Sequence, residues 1–319
     1  MSDLAEPIPG IELGRHPRRT VGYLLCLGAT TLFAINGTVS KSILMAGIES
    51  TRAAQLRVSA AFLVLLIVVA VTRPSTLRIR RGEIGLLLAY GVLGVAMTQY
   101  LYFVSIRLLP IGVSLLIEYT APIMVALWCR FAMHEQVKRT VWLGLALAMV
   151  GLALIGEVWT GLSFSPLGVA AGFGAAAALS VYFLLGERAV RAVPPRDAVS
   201  LTMWGFGAAA LFWAIAAPWW TFPWAQFSGQ GHPLGDDRPG VSLWVLAAWM
   251  VVLGTVVPFW LEVEALRNIR ASQVSILGLS EPLIATAVAW VALGEVLAPW
   301  QIVGAFIILT GVIVAERSR

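Results

Sequence analysis

Residues 110–157 read PIGVSLLIEYTAPIMVALWCRFAMHEQVKRTVWLGLALAMVGLALIGE, and the same pattern returns without a gap at residues 270–317. The second copy reads RASQVSILGLSEPLIATAVAWVALGEVLAPWQIVGAFIILTGVIVAER. At a constant shift of 160 residues, the matched positions are Pro122 and Pro282, Ala132 and Ala292, Glu135 and Glu295, Gly144 and Gly304, and Gly151 and Gly311. Each copy is an apolar run with an internal proline, a short charged turn and a second apolar run with glycines. A chain built twice from such segments is typical of secondary transporters.

The composition is that of an integral membrane protein. Of the 319 residues, 59% are hydrophobic and only 12% are charged, whereas a soluble domain carries about 25% charged residues. The pI near 9.6 does not indicate nucleic-acid binding, because the cations are scattered through short loops and form no basic stripe. Cys26 and Cys129 lie in apolar segments, where two lone cysteines predict core packing and neither a disulfide framework nor a metal site.

Ten stretches are apolar enough to cross a bilayer, which takes about 20 residues. We expect an all-α membrane protein with spans at 21–45, 52–72, 83–106, 110–131, 139–157, 166–187, 197–218, 241–263, 271–292 and 299–316. They divide the chain into a polar N-terminal tail (1–20), a first five-helix repeat (21–157) and a second five-helix repeat (166–316). The first apolar run is too long for a signal-peptide core, so we expect it to remain as the first span.

The placement of lysine and arginine predicts the orientation of these spans. If the N-terminus is cytoplasmic, 17 of the 22 cations lie in cytoplasmic segments, and only Arg52, Arg107 and Arg238 lie outside. Cytoplasmic loops carry the excess of lysine and arginine, so both termini are predicted to be cytoplasmic. Because each repeat has five spans, an odd number, the second copy is inverted relative to the first. Inverted repeats place a transport pathway at their interface.

Five charged side chains fall inside the predicted spans, where charges are costly and usually face an internal cavity. They are Lys41, Arg57, Glu118, Glu262 and Glu281. At a rise of ~1.5 Å per residue, the two cations lie roughly 6–8 Å below the outer boundary, and Glu118 lies roughly 12 Å below it together with Gln99. Glu281 lies near the midplane, and Glu262 lies close to the inner surface.

Simpler interpretations of these charges stay open at this point. Lys41 and Arg57 could reach up to the outer headgroups along their aliphatic stems. Glu118 could form a structural ion pair with either cation, because buried charges need partners whatever their function. Glu262 could be an interfacial residue. Glu281 is the hardest to explain in this way, because it is central and directly precedes a proline.

Pro122 and Pro282 occupy matching positions of the two repeats and predict matching helix breaks. A proline frees the carbonyl four residues earlier from its helical hydrogen bond, and these carbonyls belong to Glu118 and Gly278. Unwound backbone beside a carboxylate is what a midplane binding site uses. The alternative is a kink that serves packing alone. The matched glycines of the repeats predict close helix contacts, within the monomer or between the subunits of a homodimer.

Several motifs of other protein classes do not occur in the sequence. It has no HExxH, no phosphate-binding loop with its lysine and no Gly-x-Ser-x-Gly turn, and its three histidines lie in tails or loops. We therefore expect neither an enzyme nor an ATP-driven pump, and no cofactor or bound metal. The sequence leaves two sources of driving force for transport, which are coupling to an ion gradient and facilitated diffusion.

Four stretches resemble a known family: NGTVSKSILMAG (36–47), AAQLRV (53–58), YLYFVSIRLLPIGVSLLIEYTAPIMVALW (100–128) and VPFWLEVEAL with SEPLIATAVAWVALGE (257–295). They are similar to the ten-helix EamA-type transporters of the drug/metabolite transporter (DMT) superfamily, and within it to the bacterial threonine/homoserine exporters of the RhtA group. The positions that match that group's pattern are Lys41, Arg57, Glu118, Pro122, Glu262, Glu281 and Pro282. Gln99, Glu264 and a longer outer loop at 219–240 depart from it.

The resemblance implies amino-acid efflux across the bacterial inner membrane, coupled to protons. A zwitterionic substrate needs a cation and an anion a few Å apart. Lys41 or Arg57 could bind its carboxylate, and Glu118 or Glu281 its ammonium group. A carboxylate in a low-dielectric cavity holds a proton more readily than one in water, so Glu118 or Glu281 could bind proton and substrate in turn.

Further residues complete the predicted site. Asn36, Gln99, Tyr102 and Tyr119 could recognise a side-chain hydroxyl, and Glu262 is a third candidate for proton coupling. Other functions that fit the sequence less well are export of an organic cation or a nucleotide-linked sugar, a membrane receptor or scaffold, and an embedded enzyme.

Overall fold

The structure, a computed structural model, describes residues 19–109, 111–159, 165–233, 238–293 and 298–317. Its helices are α1 Arg19–Met45, α2 Ser50–Thr72, α3 Ile84–Leu88, α4 Met97–Leu108, α5 Ile111–Glu118, α6 Ala121–Phe131, α7 Arg139–Ile155, α8 Pro166–Arg191, α9 Ala198–Ala216, α10 Leu243–Val251, α11 Val257–Leu266, α12 Ala271–Gly278, α13 Glu281–Leu293 and α14 Pro299–Arg317. Short 3-10 turns occupy Pro74–Leu77, Arg81–Glu83, Trp219–Thr221 and Trp224–Ser228.

The described helices are those of a multi-pass membrane protein. Eight helical stretches are long and apolar enough to cross a membrane, and α7 and α14 contribute two shorter apolar helices. At 1.5 Å per residue, the 17 residues of α7 extend about 25 Å, somewhat less than the ~30 Å hydrocarbon core. The predicted all-α character needs one small correction. Two-residue strands, β1 (Gln230–Gly231) and β2 (Val241–Ser242), pair antiparallel within the Gly- and Pro-rich loop before α10.

The two halves of the chain interleave. α1 packs against α11 and α13 of the second half, and α8 packs correspondingly against α4 and α5 of the first half. α2 packs against α9, and α7 against α14, so each of these helices contacts its own counterpart. The main hydrophobic core therefore runs through both repeats. Neither half buries its apolar faces alone.

Glycines allow α7 and α14 to pack backbone against backbone. A Cβ added at Gly151 would lie 2.5 Å from the carbonyl oxygen of Gly304, and one at Gly311 would lie 2.5 Å from that of Gly144. Since 144 pairs with 311 and 151 with 304, the two helices run antiparallel. The glycine faces predicted from the sequence are thus used within the monomer, and they supply no argument for a homodimer.

The two repeats break their helices at matching positions. α5 ends at Glu118 and α6 begins at Ala121, and 160 residues later α12 ends at Gly278 and α13 begins at Glu281. Each break is closed by the same contact. The Thr120 hydroxyl donates to the Ile117 carbonyl, and the Ser280 hydroxyl donates to that of Leu277, both over 2.6 Å.

Two π-helical segments form a second matched pair of irregularities. Ala89–Ala96 lies between α3 and α4, and Val252–Val256 lies between α10 and α11. Subtracting the 160-residue shift places the second segment on residues 92–96, within the first. Such widened turns frequently occur at functional sites. No feature of the hydrophobic pattern predicted them, because an apolar run looks the same with or without a π turn.

Charged loops meet at one end of the helix bundle, which we call the basic end. Arg73 pairs with Asp197 over 2.7 Å, and Arg196 pairs with Glu83 over 2.9 Å. Arg191 donates to the carbonyl of Leu266 over 3.1 Å. These contacts join the loop after α2, the link between α8 and α9 and the end of α11. They bring the arginine-rich segments of both repeats to the same end of the bundle.

Candidate functional site

The paired helix breaks bring two buried carboxylates together. Glu118 is the last residue of α5, and Glu281 is the first residue of α13. The two side chains interact electrostatically with each other. Arg57, from α2, interacts electrostatically with Glu281 and supplies the opposite charge. Three helices thus place two acids and one base in one region of the interior.

Arg57 is held by the second π-helical segment. Its Nε donates to Thr255 Oγ1 over 2.7 Å, and its Nη2 lies 3.4 Å from the Gly254 carbonyl oxygen. Thr255 Oγ1 in turn donates to the Met250 carbonyl over 2.7 Å, which leaves its lone pairs to accept from Arg57. The guanidinium carbon lies 5.9 Å from the ring centroid of Phe259, within cation–π distance. These contacts direct Arg57 inward, and reaching up to the headgroups does not describe it.

The buried charges do not form close ion pairs. Among the described residues, six ion pairs lie within 4.0 Å, and none includes Arg57, Glu118, Glu262 or Glu281. The structural ion pair of Glu118 with Arg57 that the sequence left open is therefore not formed. A buried charge without a close partner is costly. A solute that carries both signs would give these charges partners.

Tyrosines line the two carboxylates. Tyr119 interacts electrostatically with the Glu281 carboxylate, and it lies in the break between α5 and α6 with 9% of its surface exposed. Tyr102, on α4, interacts electrostatically with Glu118 and with Glu281. The hydroxyls thus share the region of the acids, as hydrogen-bonding groups for a small polar solute would.

Two buried amides, one on α1 and one on α4, have polar atoms without a hydrogen-bond partner among the described residues. Both amide atoms of Gln99, on α4, are buried without a hydrogen-bond partner among the described residues. The Asn36 Oδ1 is likewise unsatisfied within the described part of the chain, and it lies directly against Gly254, beside the carbonyl that Arg57 approaches. Leaving a buried polar group unpaired costs about 1–3 kcal/mol. A bound solute or water would satisfy these atoms.

Glu262 belongs to a second acidic position, on α11. Its side chain is buried, with 8% exposed, and its location close to the inner surface stays a prediction. It interacts electrostatically with Tyr182 of α8 and with Glu281. Tyr182 stacks on Tyr90 of the first π segment, with ring centroids 5.2 Å apart. Neither tyrosine hydroxyl forms a hydrogen bond of standard geometry with any described residue.

Two prolines and one lysine complete the set of predicted site residues. Pro122 and Pro282 are the second residues of α6 and α13, directly after the two breaks. Lys41 belongs to α1, but its side chain lies outside the described part of the structure. Among the described residues, no group of three or more His, Cys, Asp or Glu side chains could hold a metal ion.

Sequence reasoning missed several residues that shape the site. Thr255 orients Arg57, Tyr182 and Tyr90 surround Glu262, and Thr120 and Ser280 close the two breaks. The hydroxyls at 120 and 280 could have been found, because they occupy matching repeat positions directly beside the charged residues. Thr255 gave no comparable signal, because its contact with Arg57 spans 198 residues.

Comparisons with known proteins agree with this architecture. The sequence pattern of the EamA-like transporter family matches residues 20–156 and 166–316. The threonine/homoserine exporter RhtA of Escherichia coli K12 is 29% identical over 243 residues, which cover 74% of this chain and 72% of the exporter. An uncharacterized transporter of Archaeoglobus fulgidus is 27% identical over 231 residues, or 71% of this chain and 76% of that protein.

A solved structure has the same fold. One crystal structure superimposes with a TM-score of 0.76 at 17% sequence identity, covering 94% of this chain and 98% of the other. The family matches cover both halves of the chain, in which the paired breaks and the buried charges occur. The protein is therefore a multi-pass membrane transporter, not an enzyme, and it belongs to the EamA-like transporter family within the drug/metabolite transporter superfamily.

Proposed function

We propose that this protein exports a small amino acid of the threonine or homoserine type across the bacterial cytoplasmic membrane in exchange for protons. The observation that carries the proposal is the set of unpaired buried charges, one base and two acids, at the paired helix breaks. The similarity to a threonine/homoserine exporter supports the substrate class.

A zwitterionic amino acid complements the charges of the site. Its carboxylate would take the free donors of Arg57, and Lys41 is a second candidate for that role. Its ammonium group would face Glu118 or Glu281, and the hydroxyls and amides nearby would bind a polar side chain. An organic cation would gain from the carboxylates but would meet the buried charge of Arg57. The site therefore favours a solute with both charges.

Alternating access would use the symmetry of the two repeats. The antiparallel contact of α7 with α14 and the reciprocal packing of α1 and α8 support an inverted relation between repeats of five spans each. The basic end would face the cytoplasm, as the excess of lysine and arginine predicts, and both termini would lie there. A site at the interface of inverted repeats can open to each side in turn.

Proton coupling would use the acidic side chains of the site. Glu118 and Glu281 interact with each other, and neither forms an ion pair with a cation whose side chain the structure describes. Two like charges in a low-dielectric environment disfavour each other, so protonation of one is favoured when no substrate is bound. The ammonium group of the substrate would displace that proton. Glu262, beyond Glu281, would pass protons between the site and the cytoplasmic end.

Counterflow in proteoliposomes tests this function. Vesicles preloaded with one unlabelled amino acid should accumulate the labelled form, with L-threonine and L-homoserine ahead of acidic or aromatic amino acids. An imposed pH gradient should accelerate efflux when the receiving side is acidic. A quaternary ammonium compound should compete poorly. If no amino acid of the panel exchanges, or if the cation competes best, the proposed substrate class is wrong.

Arg57→Lys tests the role of the guanidinium. Lysine keeps the charge, but it cannot hold Thr255 and a carboxylate with separate donors of one planar group. Losing a charge-assisted hydrogen bond of about 1.5 kcal/mol would raise the KM for the amino acid about 10-fold. Concentration-dependent counterflow measures the change. Arg52→Lys, at the end of α2 that lies away from the basic end, is the matched control. An unchanged KM would remove Arg57 from the binding site.

A further inference from the structure

A cavity of about 270 Å³ opens at the basic end, apart from the site described above. We call it the vestibule. The start of α1, the segment that joins α6 to α7 and the start of α12 all line it, so both repeats contribute. Ser272 and Gln273, which line it, precede Ser280 by seven or eight residues along α12, or roughly 12 Å of helix. α12 therefore connects the vestibule to the paired breaks.

Both signs of charge line the vestibule. Its charged residues are Arg19, Glu135, Lys138 and Arg270, an excess of two positive charges. Arg270 Nη1 and Glu135 Oε2 lie 2.7 Å apart and join the second repeat to the first. Arg19 and Lys138 take part in no ion pair with any residue that the structure describes. The positive excess attracts a carboxylate, and Glu135 can accept an ammonium group.

The Arg270–Glu135 pair is well placed to exchange partners. The side chains are 56% and 33% exposed, and exposed ion pairs contribute little to stability. A solute that brings its own carboxylate and ammonium group can replace each partner without leaving a charge uncompensated. Replacing the pair would also remove a contact between the two repeats at this end.

The sequence does not repeat both partners of this pair. The 160-residue shift matches Glu135 with Glu295 but matches Arg270 with Pro110, and proline carries no charge. The acid therefore has a counterpart at the matching position and the base does not. This difference between the copies fits a transporter that loads its solute from one side.

We infer that the vestibule is a first binding site for the zwitterionic solute, in which the solute's carboxylate binds Arg270 and its ammonium group binds Glu135. Displacing this ion pair removes one of the contacts between the two repeats at the basic end, and the solute passes along α12 to the paired breaks. The inference rests on the proposed function for its substrate class, but its geometry is separate from the central site.

Transport kinetics test the role of the pair. Glu135→Gln and Arg270→Gln are each expected to raise the KM for L-threonine offered at the basic end about 5-fold, the value of one exposed charge contact. The maximal rate should change less than the KM. Glu264→Gln and Arg267→Gln are matched controls, because that pair is similarly exposed at the same end but lies within one turn of one helix. Equal effects in both pairs would overturn the inference.

Cys129 offers a native reporter of the vestibule. It lines the cavity and is 5% exposed, and Cys26, the other cysteine, can be replaced by alanine. In the purified Cys26→Ala protein, L-threonine is expected to slow the alkylation of Cys129 by iodoacetamide. Glu135→Gln should accelerate it, and the exchanged pair Glu135→Arg with Arg270→Glu should restore slow labelling. Bound L-threonine slows labelling because it occupies the cavity beside Cys129, whereas Glu135→Gln breaks the pair and leaves the cavity empty. Labelling that L-threonine does not slow would contradict the inference.

The two measurements also separate this inference from the proposed function. If no amino acid is exchanged but L-threonine still protects Cys129, the vestibule binds the zwitterion and the export function is wrong. If L-threonine is exchanged and Cys129 labelling does not respond, the export function stands and the vestibule is not a binding site.

Discussion

Glu281→Gln is expected to reduce pH-driven efflux of the amino acid and to remove its response to the gradient. Glutamine keeps the size of the side chain and its ability to accept a hydrogen bond, but it cannot bind and release a proton. A side chain that transfers a proton contributes at least ~100-fold to the step it serves, so we expect a loss of about that size. Efflux from proteoliposomes, with and without an imposed pH gradient, measures it.

Glu264→Gln is the matched control for this prediction. Glu264 lies on the same helix as Glu262, but it pairs with Arg267 at the surface and is 28% exposed. Its neutralisation should leave both the rate and the response to pH unchanged. Monodispersity in detergent shows that the variants are folded. If Glu281→Gln and Glu118→Gln both retain pH-driven efflux, proton coupling does not use the paired breaks.

Gly311→Leu is expected to prevent the correct packing of α14 against α7. A Cβ at this position would lie 2.5 Å from the Gly144 carbonyl oxygen and 2.7 Å from the Ala148 nitrogen, both backbone atoms that cannot rotate away. Overpacking a well-packed contact costs about 1–3 kcal/mol, and a branched side chain against backbone belongs at the upper end. The apparent Tm of the purified protein and its yield in the membrane measure the loss.

A pair of alanine variants separates packing from helix propensity. Gly→Ala in an exposed helix interior stabilises by about 0.5–1 kcal/mol, so Gly37→Ala, whose Cβ would meet nothing within 4 Å, should leave the Tm unchanged or raise it. Gly311→Ala should lower it. If both substitutions shift the Tm in the same direction, the close backbone contact of α7 with α14 is not what stabilises this region.

The sequence was most informative where a local rule applies. Proline lacks an N–H whatever its surroundings, and the structure ends helices at Glu118 and Gly278, the residues whose carbonyls Pro122 and Pro282 leave without a donor. The glycines of the last helix in each repeat predicted close contact, and the structure shows backbone against backbone. The family resemblance is confirmed over both halves.

The sequence did not show which residues the buried charged side chains contact. From the sequence, Arg57 could reach the headgroups, form an ion pair or bind a substrate. Its hydrogen bond to Thr255 decides between them, and Thr255 lies in a π-helical segment that the hydrophobic pattern does not reveal. Counting residues predicted that Glu262 lies near the inner surface, but it could not show that α8 supplies Tyr182 beside it. The position of a residue along its own helix does not show which other helix packs over its side chain.

The sequence by itself determined the duplication, the apolar lengths, the positions of the two breaks and the set of charges inside the membrane. These properties depend on the residue types and on the spacing of apolar residues within short stretches of the chain. Only the tertiary structure decided how the halves interleave and which buried charges interact with one another. It also decided that Arg270 and Glu135 pair across the repeats at the basic end. Such contacts join residues more than a hundred positions apart, and only packing of the whole chain selects them.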